Sequence, residues 1–279
     1  MDPGPPVIRL AVFGQPVAHS LSPRIHAEFS RQLGLRIDYR AIEASPRSFP
    51  ERVRELAAAG GRGCNVTVPL KHAAWTLATR RSDRAARAQA ANTLLFEGDI
   101  FADNTDGQGL VNDLLSLPGG RIAGARVCLL GAGGAAAGIL AALLQAGPDQ
   151  VVVANRTVAR ADELVGRHVD LGPVQSCVPG DIARQAPFDL LINATSHGHR
   201  GAAPALEADW FSPGGLCYDL NYGEAAAPLQ RACSAAGIGY SDGLGMLVHQ
   251  AALSFTLWTG RKPAIAPVLE GLRQRDKGA

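Results

Sequence analysis

One lysine stands apart in this 279-residue chain. Arginine outnumbers lysine 24 to 3, and two of the three lysines, Lys262 and Lys277, lie near the C-terminus. The third, Lys71, sits alone in mid-chain. A lysine kept where composition so favours arginine marks a place where arginine will not serve, because arginine stays protonated while lysine can give and take a proton. The bland alternative is a solvated surface lysine. Lys71 follows Asn65-Val66-Thr67-Val68-Pro69. Strand alternation puts Asn65 and Thr67 on one face, and Pro69 ends the strand. Lys71 then falls in the first turn of the next helix, at the carboxyl end of a strand, where open α/β sheets bind ligands. Further on, Asp103-Asn104-Thr105-Asp106-Gly107 is a polar loop before a helix. Asp106 there reads either as an N-cap or as a site carboxylate.

A second chemistry is nucleotide binding. Gly131-Ala132-Gly133-Gly134-Ala135-Ala136 follows an apolar strand and opens an apolar helix. Glycines allow a tight turn and close backbone approach, and the helix N-terminus attracts a pyrophosphate. The spacing is G-x-G-G, not the strict dinucleotide fingerprint, and a ligand-free βα turn is the plain alternative. The next strand ends in Asn155-Arg156-Thr157. An NAD-binding unit has an acid near this point for the ribose 2′-hydroxyl, and none is present here. Thr157 can cap the following helix, leaving Arg156 and Arg160 at i and i+4 on one face. Two cations so placed repel each other, and a 2′-phosphate between them would relieve that cost, so the cofactor expected is NADP. A solvated arginine pair is the alternative. In Ser20-Leu21-Ser22-Pro23, serine at the N-cap and proline at the first position make a strong helix start. The two hydroxyls there also suit a carboxylate.

These residues must be held by an α/β framework. Strand and helix signals alternate throughout, as in a protein built on a parallel sheet. Strands are expected at 7–13, 37–42 and 64–68, with helices at 23–33, 47–59, 70–78 and 82–90. A hairpin turned by Gly98-Asp99 joins 92–97 to 100–102. After a loop at Leu117-Pro118-Gly119-Gly120, a second series has strands at 126–130, 150–154, 190–193 and 216–220. The final long helix, 244–258, carries Leu244, Leu247, Val248, Ala251, Phe255 and Trp258 at helical period. Gly243, Met246 or Leu247, and Gln250 are spaced to share one of its faces.

Composition excludes several classes. The net charge is +2 and the pI near 8.4, without the strong basicity of a nucleic-acid binder. Arg80, Arg81, Arg84 and Arg87 make a basic stretch, but it lacks aromatic interleaving and reads as a solvated face. Five scattered cysteines, odd in number and never in a C-x-x-C pair, fit a reducing compartment, and a cytoplasmic location is expected. The Pro-rich start, residues 1–6, lacks the basic and apolar regions of a signal peptide. Residues 127–144 are uncharged and imitate a membrane span, yet a strand, a glycine turn and a helix account for them better. His197 and His199 flank Gly198 with no third ligand evident, so no metal is expected.

Together the motifs resemble the shikimate/quinate dehydrogenase family. The resemblance rests on Phe13–His26 (FGQPVAHSLSPRIH), Asn65–Lys71 (NVTVPLK), Ala91-Asn92-Thr93, Asp103–Gly107 (DNTDG), Gly131–Ala135, Asn155–Arg160 (NRTVAR), Asn193–Ser196, Tyr218–Tyr222 and Asp242–Gln250 (DGLGMLVHQ). These nine blocks run in order over almost the whole chain. The resemblance implies an N-terminal α/β substrate domain plus a Rossmann-like NADP-binding domain, with the active site in the cleft between them. The first would comprise residues 1–106 and 243–279, the second 107–242. It implies NADPH-dependent reduction of 3-dehydroshikimate to shikimate, on the route to aromatic amino acids, by a monomer or homodimer without nucleic-acid or membrane partners. Lys71 and Asp106 would be the catalytic pair. Ser20 and Ser22 would hold the substrate carboxylate, and Thr67, Lys71, Asn92, Asp106 and Gln250 the ring hydroxyls, with Tyr222 nearby. Gly131, Ala132, Gly133, Gly134, Ala135, Asn155, Arg156, Thr157, Arg160, Thr195, Leu220 and Gly243 would touch NADP, and Asp83 falls at an acidic position associated with the cofactor. Ala137 and Gln89 depart from the family pattern, which more often has Arg or Lys at the first and Gly at the second.

Ketone reduction develops negative charge on oxygen, which an ammonium at Lys71 would stabilise and then protonate. Two rivals are a quinate/shikimate dehydrogenase that tolerates NAD and a non-catalytic NADP-binding regulator. Retention of Lys71, Asp106, Asn92 and both serines speaks against the second.

Overall fold

The computed structural model describes residues 6–118 and 120–276. The Pro-rich start as far as Pro5, Gly119 of the expected loop, and Lys277 lie outside the described residues. The chain divides into two compact units, Met1–Gly109 with Val248–Ala279, and Leu110–Leu247. The crossings lie beyond the expected 106/107 and 242/243. Each falls inside a helix, after its first turn, so the packing of successive turns decides the boundary and no loop marks it.

The first unit contains Ile8–Gly14 (β1), Ser22–Leu33 (α1), Ile37–Glu43 (β2), Phe49–Ala58 (α2), Gly61–Val66 (β3), Lys71–Leu77 (α3), Arg80–Arg81 (β4), Asp83–Ala88 (α4), Thr93–Phe96 (β5) and Ile100–Asp103 (β6). Helix α5, Asp106–Ser116, begins in it and continues into the second unit. The second unit then has Arg126–Leu130 (β7), Gly134–Gln145 (α6), Gln150–Ala154 (β8), Val158–Gly166 (α7), Val174–Cys177 (β9), Ile182–Gln185 (α8), Phe188–Asn193 (β10), Phe211–Asp219 (β11), Ala227–Ala236 (α9) and Gly239–Ser241 (β12). Helix α10, Leu244–Thr259, returns the chain to the first unit, and Ala266–Asp276 (α11) follows it.

The α/β class expected from the alternation holds. The first sheet has order β2-β1-β3-β5-β6-β4 and is mixed, since β5 runs antiparallel to β3 and β6. The second, β12-β11-β10-β7-β8-β9, is parallel throughout. Short β4, β9 and β12 escape a sequence reading because two to four residues give no period to detect. Helix α10 is not the last, since α11 follows it.

Strand alternation decides both faces of the second sheet. Val127 and Leu129 pack with Ile139, Leu140 and Leu143 of α6, whereas Cys128 and Leu130 pack with Phe188, Trp210 and Leu229 on the other side. The uncharged segment 127–144 is thus β7, a glycine turn and α6, and no described helix is long and apolar enough to cross a membrane. In the first unit α1 buries Ser22, Ile25, His26, Phe29 and Ser30, a stripe at helical spacing, and Gly34 closes it in the left-handed region at φ 62°. Ala11, Phe13, Cys64, Val66 and Leu94 form the sheet's other face with Phe49, Leu70 and Ala74.

Candidate active site

Lys71 begins α3, close after the carboxyl end of β3. The strand stops at Val66, two residues before the expected Val68, because Leu70 N–H donates to Thr67 O at 2.9 Å and turns the chain. Asp106 is the first residue of α5. The two meet directly: Lys71 Nζ donates to Asp106 Oδ2 at 2.5 Å, with side chains 18% and 7% exposed. A pair so shielded from water is held more firmly than a surface ion pair. Asp106 is therefore not a simple N-cap; its backbone N–H is itself received by Asn104 Oδ1 at 3.1 Å.

Backbone contacts bring the third member to this pair. Ala91 N–H donates to Lys71 O at 2.9 Å, and Asn92 N–H to Asp103 O at 3.1 Å. Buried Asn92 thereby faces three acceptors: Asp106 Oδ1 at 2.8 Å, Thr105 Oγ1 at 2.9 Å and Gln250 Oε1 at 3.0 Å. Its amide has two hydrogens for three oxygens, so one is shared. Asn92 Oδ1 accepts from Thr105 N–H at 2.9 Å, which fixes the amide's orientation. Gln250 reaches the group because α5 and α10 press together at Gly109, where a Cβ would lie 2.7 Å from that of Gln250. Lys71, Asp106, Asn92 and Gln250 are thus one hydrogen-bonded constellation within the first unit. The sequence reading omitted Thr105 and Ser254, which complete it: Ser254, one turn after Gln250, bonds to Thr93 Oγ1 at 2.7 Å.

The serine pair differs in detail from expectation. Leu21, not Ser22, is the N-cap; Ile25 N–H donates to its carbonyl at 3.0 Å, and proline occupies the second helical position, where no donor is needed either. Ser22 N–H donates to Ser20 Oγ at 3.2 Å. Ser22 is buried beside the Tyr39 hydroxyl, which donates to Asn65 Oδ1 at 2.7 Å. Asn65 in turn donates to Ser254 Oγ at 3.0 Å. A continuous polar track therefore links the serines to the Lys71 constellation. Thr67 is half-buried against Gly14, at the adjacent ends of β1 and β3.

In the second unit the sheet order reverses beside β7: β8 and β9 extend one way, β10 to β12 the other. This is the switch point at which α/β sheets open a crevice. Gly131 stands there at φ 105°, a conformation that favours glycine, and a Cβ on it would sit 3.1 Å from Ala194 O and 3.4 Å from Thr195 Cγ2. Gly133 caps α6, and Cβ positions at Gly133 and Gly134 are open; Ala132 and Ala135 are half-buried. Leu220 follows β11, and Gly243 lies against it: a Cβ there would be 2.4 Å from Leu220 O. A backbone cradle with free N–H groups at a 12-residue helix suits a pyrophosphate.

Helix α7 begins at Val158, so Arg156 is not helical and does not share a helix face with Arg160. Thr157, extended at ψ 93°, interposes and makes no side-chain cap; its carbonyl accepts from Asn155 Nδ2 at 2.8 Å. Both arginines are exposed, with no acidic residue among Asn155, Arg156 and Thr157. Asp83 is exposed in the first turn of α4, in the first unit. Tyr222 is half-buried in the second unit, and burial raises its hydroxyl's pKa. Among the described residues no group of three or more His, Cys, Asp or Glu stands close enough to hold a metal ion.

Comparison with known proteins agrees over nearly the full length. Residues 12–94 match the shikimate dehydrogenase substrate binding domain, 114–200 the shikimate/quinate 5-dehydrogenase domain, and 243–273 the shikimate 5′-dehydrogenase C-terminal domain. The chain is 48% identical to a shikimate dehydrogenase (NADP(+)) of Methylococcus capsulatus, over 97% of this chain and 98% of that one. It superposes on an Ael1 enzyme from Pseudomonas putida with TM-score 0.87 at 40% identity, covering 95% and 98% of the two chains. Against the Thermus thermophilus shikimate 5-dehydrogenase in complex with NADP(H) and shikimate the TM-score is 0.82 at 38% identity, covering 96% and 99%. With the lysine–aspartate constellation and the glycine cradle on the same chain, these matches place it in the shikimate dehydrogenase family, to which it belongs.

Proposed function

We propose that this chain is an NADP-dependent oxidoreductase that interconverts 3-dehydroshikimate and shikimate. The observation that carries the reading is the Lys71–Asp106 pair, 2.5 Å apart, shielded and oriented by Asn92. Ser20 and Ser22 are assigned to the substrate carboxylate, and Thr67, Asn92, Asp106, Gln250 and Tyr222 to its hydroxyl groups. The residues at the second sheet's switch point fit a dinucleotide. Gly131 to Ala135 would receive its pyrophosphate; Asn155, Arg156, Thr157 and Arg160 its 2′-phosphate; Thr195, Leu220 and Gly243 its other end.

When bound, the nicotinamide gives or takes the hydride. The protein's part is to place the carbon and to handle the proton. In the reducing direction Lys71 Nζ–H donates to the carbonyl oxygen as negative charge grows there, and then releases its proton to it. In the oxidising direction neutral Lys71 accepts the hydroxyl proton. Asp106 Oδ2 aims the amine, and Asn92 keeps the carboxylate from rotating. Fixing these groups before substrate arrives removes reorganisation from the reacting step.

A spectrophotometric assay at about 340 nm, with shikimate and quinate each against NADP and NAD, tests the reading. Turnover with shikimate and NADP is expected to exceed every other combination. Absence of turnover with intact NADPH binding would reject the activity and favour a regulator.

A further inference from the structure

At the carboxyl end of β11, two strands from β7, lies a buried carboxylate that neither the proposed proton chemistry nor the assigned contacts employ. Asp219 ends β11 and is fully buried. Its Oδ1 accepts three hydrogen bonds, from Asn221 Nδ2 at 2.8 Å, Asn193 Nδ2 at 2.9 Å and Asn221 N–H at 3.0 Å. Oδ2 is buried without a partner. Burial pushes the carboxyl's pKa upward, and the donors on Oδ1 act against that shift. Leaving a carboxylate oxygen bare in the interior is costly, so the arrangement needs a compensating use.

The three bonds tie together the two loops at this end of the sheet. Asn193, which ends β10, also accepts Leu220 N–H on its carbonyl at 3.0 Å and the Thr195 hydroxyl on Oδ1 at 2.7 Å. Asn221 Nδ2 donates to Thr195 O as well, at 3.2 Å. His197 Nδ1–H donates to Thr195 Oγ1 at 2.8 Å, which extends the chain of bonds to His197. From the other side Gly243 N–H donates to Asn221 O at 2.9 Å. Thr195, Leu220 and Gly243 thus hang on one carboxylate oxygen through Asn193 and Asn221. Thr195 faces Gly131 and follows β10, the strand beside β7; Leu220 follows β11 and Gly243 follows β12, the next strands on that side of the sheet.

We propose that Asp219 is the positioning residue of the nicotinamide-side loops: it sets Thr195 and Leu220 for the dinucleotide without touching it. The inference rests on the proposed NADP activity and adds a residue to it. The node needs an acceptor oxygen at this position, which the carboxylate supplies and an amide carbonyl would also supply.

The test compares full-length Asp219→Ala and Asp219→Asn with the unaltered protein. NADPH affinity is read by its fluorescence, and KM for shikimate and NADP by steady-state rates. Asp219→Ala is expected to weaken NADPH binding about tenfold or more, with KM for shikimate within about twofold. Asp219→Asn is expected to stay within about threefold for NADPH, since its carbonyl keeps an acceptor for the donors now on Oδ1. NADPH affinity unchanged in Asp219→Ala overturns the proposal, as does an equal loss in both variants. Should Asp219→Ala not fold, Asn221→Ala decides: it removes the side-chain donor to Oδ1 and the bond to Thr195 O while keeping the backbone N–H, and affinity unchanged there is equally fatal. Failure of the unaltered protein to bind NADPH or oxidise shikimate would instead reject the activity itself.

Discussion

Asn92 Nδ2 bonds to Asp106 Oδ1 at 2.8 Å, leaving Oδ2 to Lys71. The two oxygens of one carboxylate are divided between a neutral donor and the amine. Asp106 therefore cannot rotate without breaking one bond, and the amine inherits that rigidity. Lys71→Ala should lower kcat by about 10²–10⁴, the span of a positioned acid–base group. NADPH affinity should remain close to that of the unaltered protein. Rates within a few-fold of it would remove Lys71 from the proton path.

Arg156 governs cofactor choice in this reading more than Arg160 does, because it stands outside α7 on the segment directly after β8. Arg156→Ala should lower kcat/KM for NADP by about 10–100-fold and leave that for NAD within a few-fold. Parallel rates with the two cofactors check this. An equal fall with both would assign Arg156 to something other than the 2′-phosphate.

Gln89 is the one described non-glycine residue with positive φ, 50°, and it closes α4 where glycine is the usual choice. Left-handed backbone costs such a residue about 1–2 kcal/mol, while glycine loses about 0.5–1 kcal/mol through its freer unfolded chain. Gln89→Gly should therefore stabilise the protein by about 0.5–1 kcal/mol, seen as a raised midpoint in denaturant unfolding. A lowered midpoint would show that the side chain contributes more than the strain costs.

His26 should make the fold acid-sensitive. It is fully buried, stacked on Tyr39 at 4.3 Å, and burial lowers its pKa to about 3, with only the Asn65 bond opposing. Unfolded, the ring takes a proton near pH 6.5, so below that value the unfolded state holds the extra proton. The contribution is complete above about pH 6.5 and declines as pH falls towards 3. Between pH 7 and 5 it amounts to about 2 kcal/mol of lost stability. His26→Gln should flatten that part of the stability–pH curve; an unchanged slope would assign the effect to other groups.

What sequence alone determined were the features that depend on near neighbours. The α/β alternation, the glycine turn after β7, the helix stop at Gly34, and the candidacy of Lys71 and Asp106 all follow from local pattern and residue chemistry, while Asn92 came only from the family resemblance. Tertiary structure decided the rest. Only folding brings Lys71 to Asp106, 35 positions along the chain, because β3 and β6, both antiparallel to the β5 between them, finish at the same end of the sheet and Ala91 bonds to the Lys71 carbonyl. Ser22 lost its cap role to a backbone carbonyl, and Arg156 its helix face to one extended residue, since helix ends shift at little cost when several donors are unpaired anyway. The unit boundaries fall inside α5 and α10 because one turn of a helix can pack in one unit and the next turn in another, and no composition change marks that point. Asp219 and Asn193 fell within motif blocks without a role of their own; burial in a shared polar node, which spacing does not encode, gives them their weight.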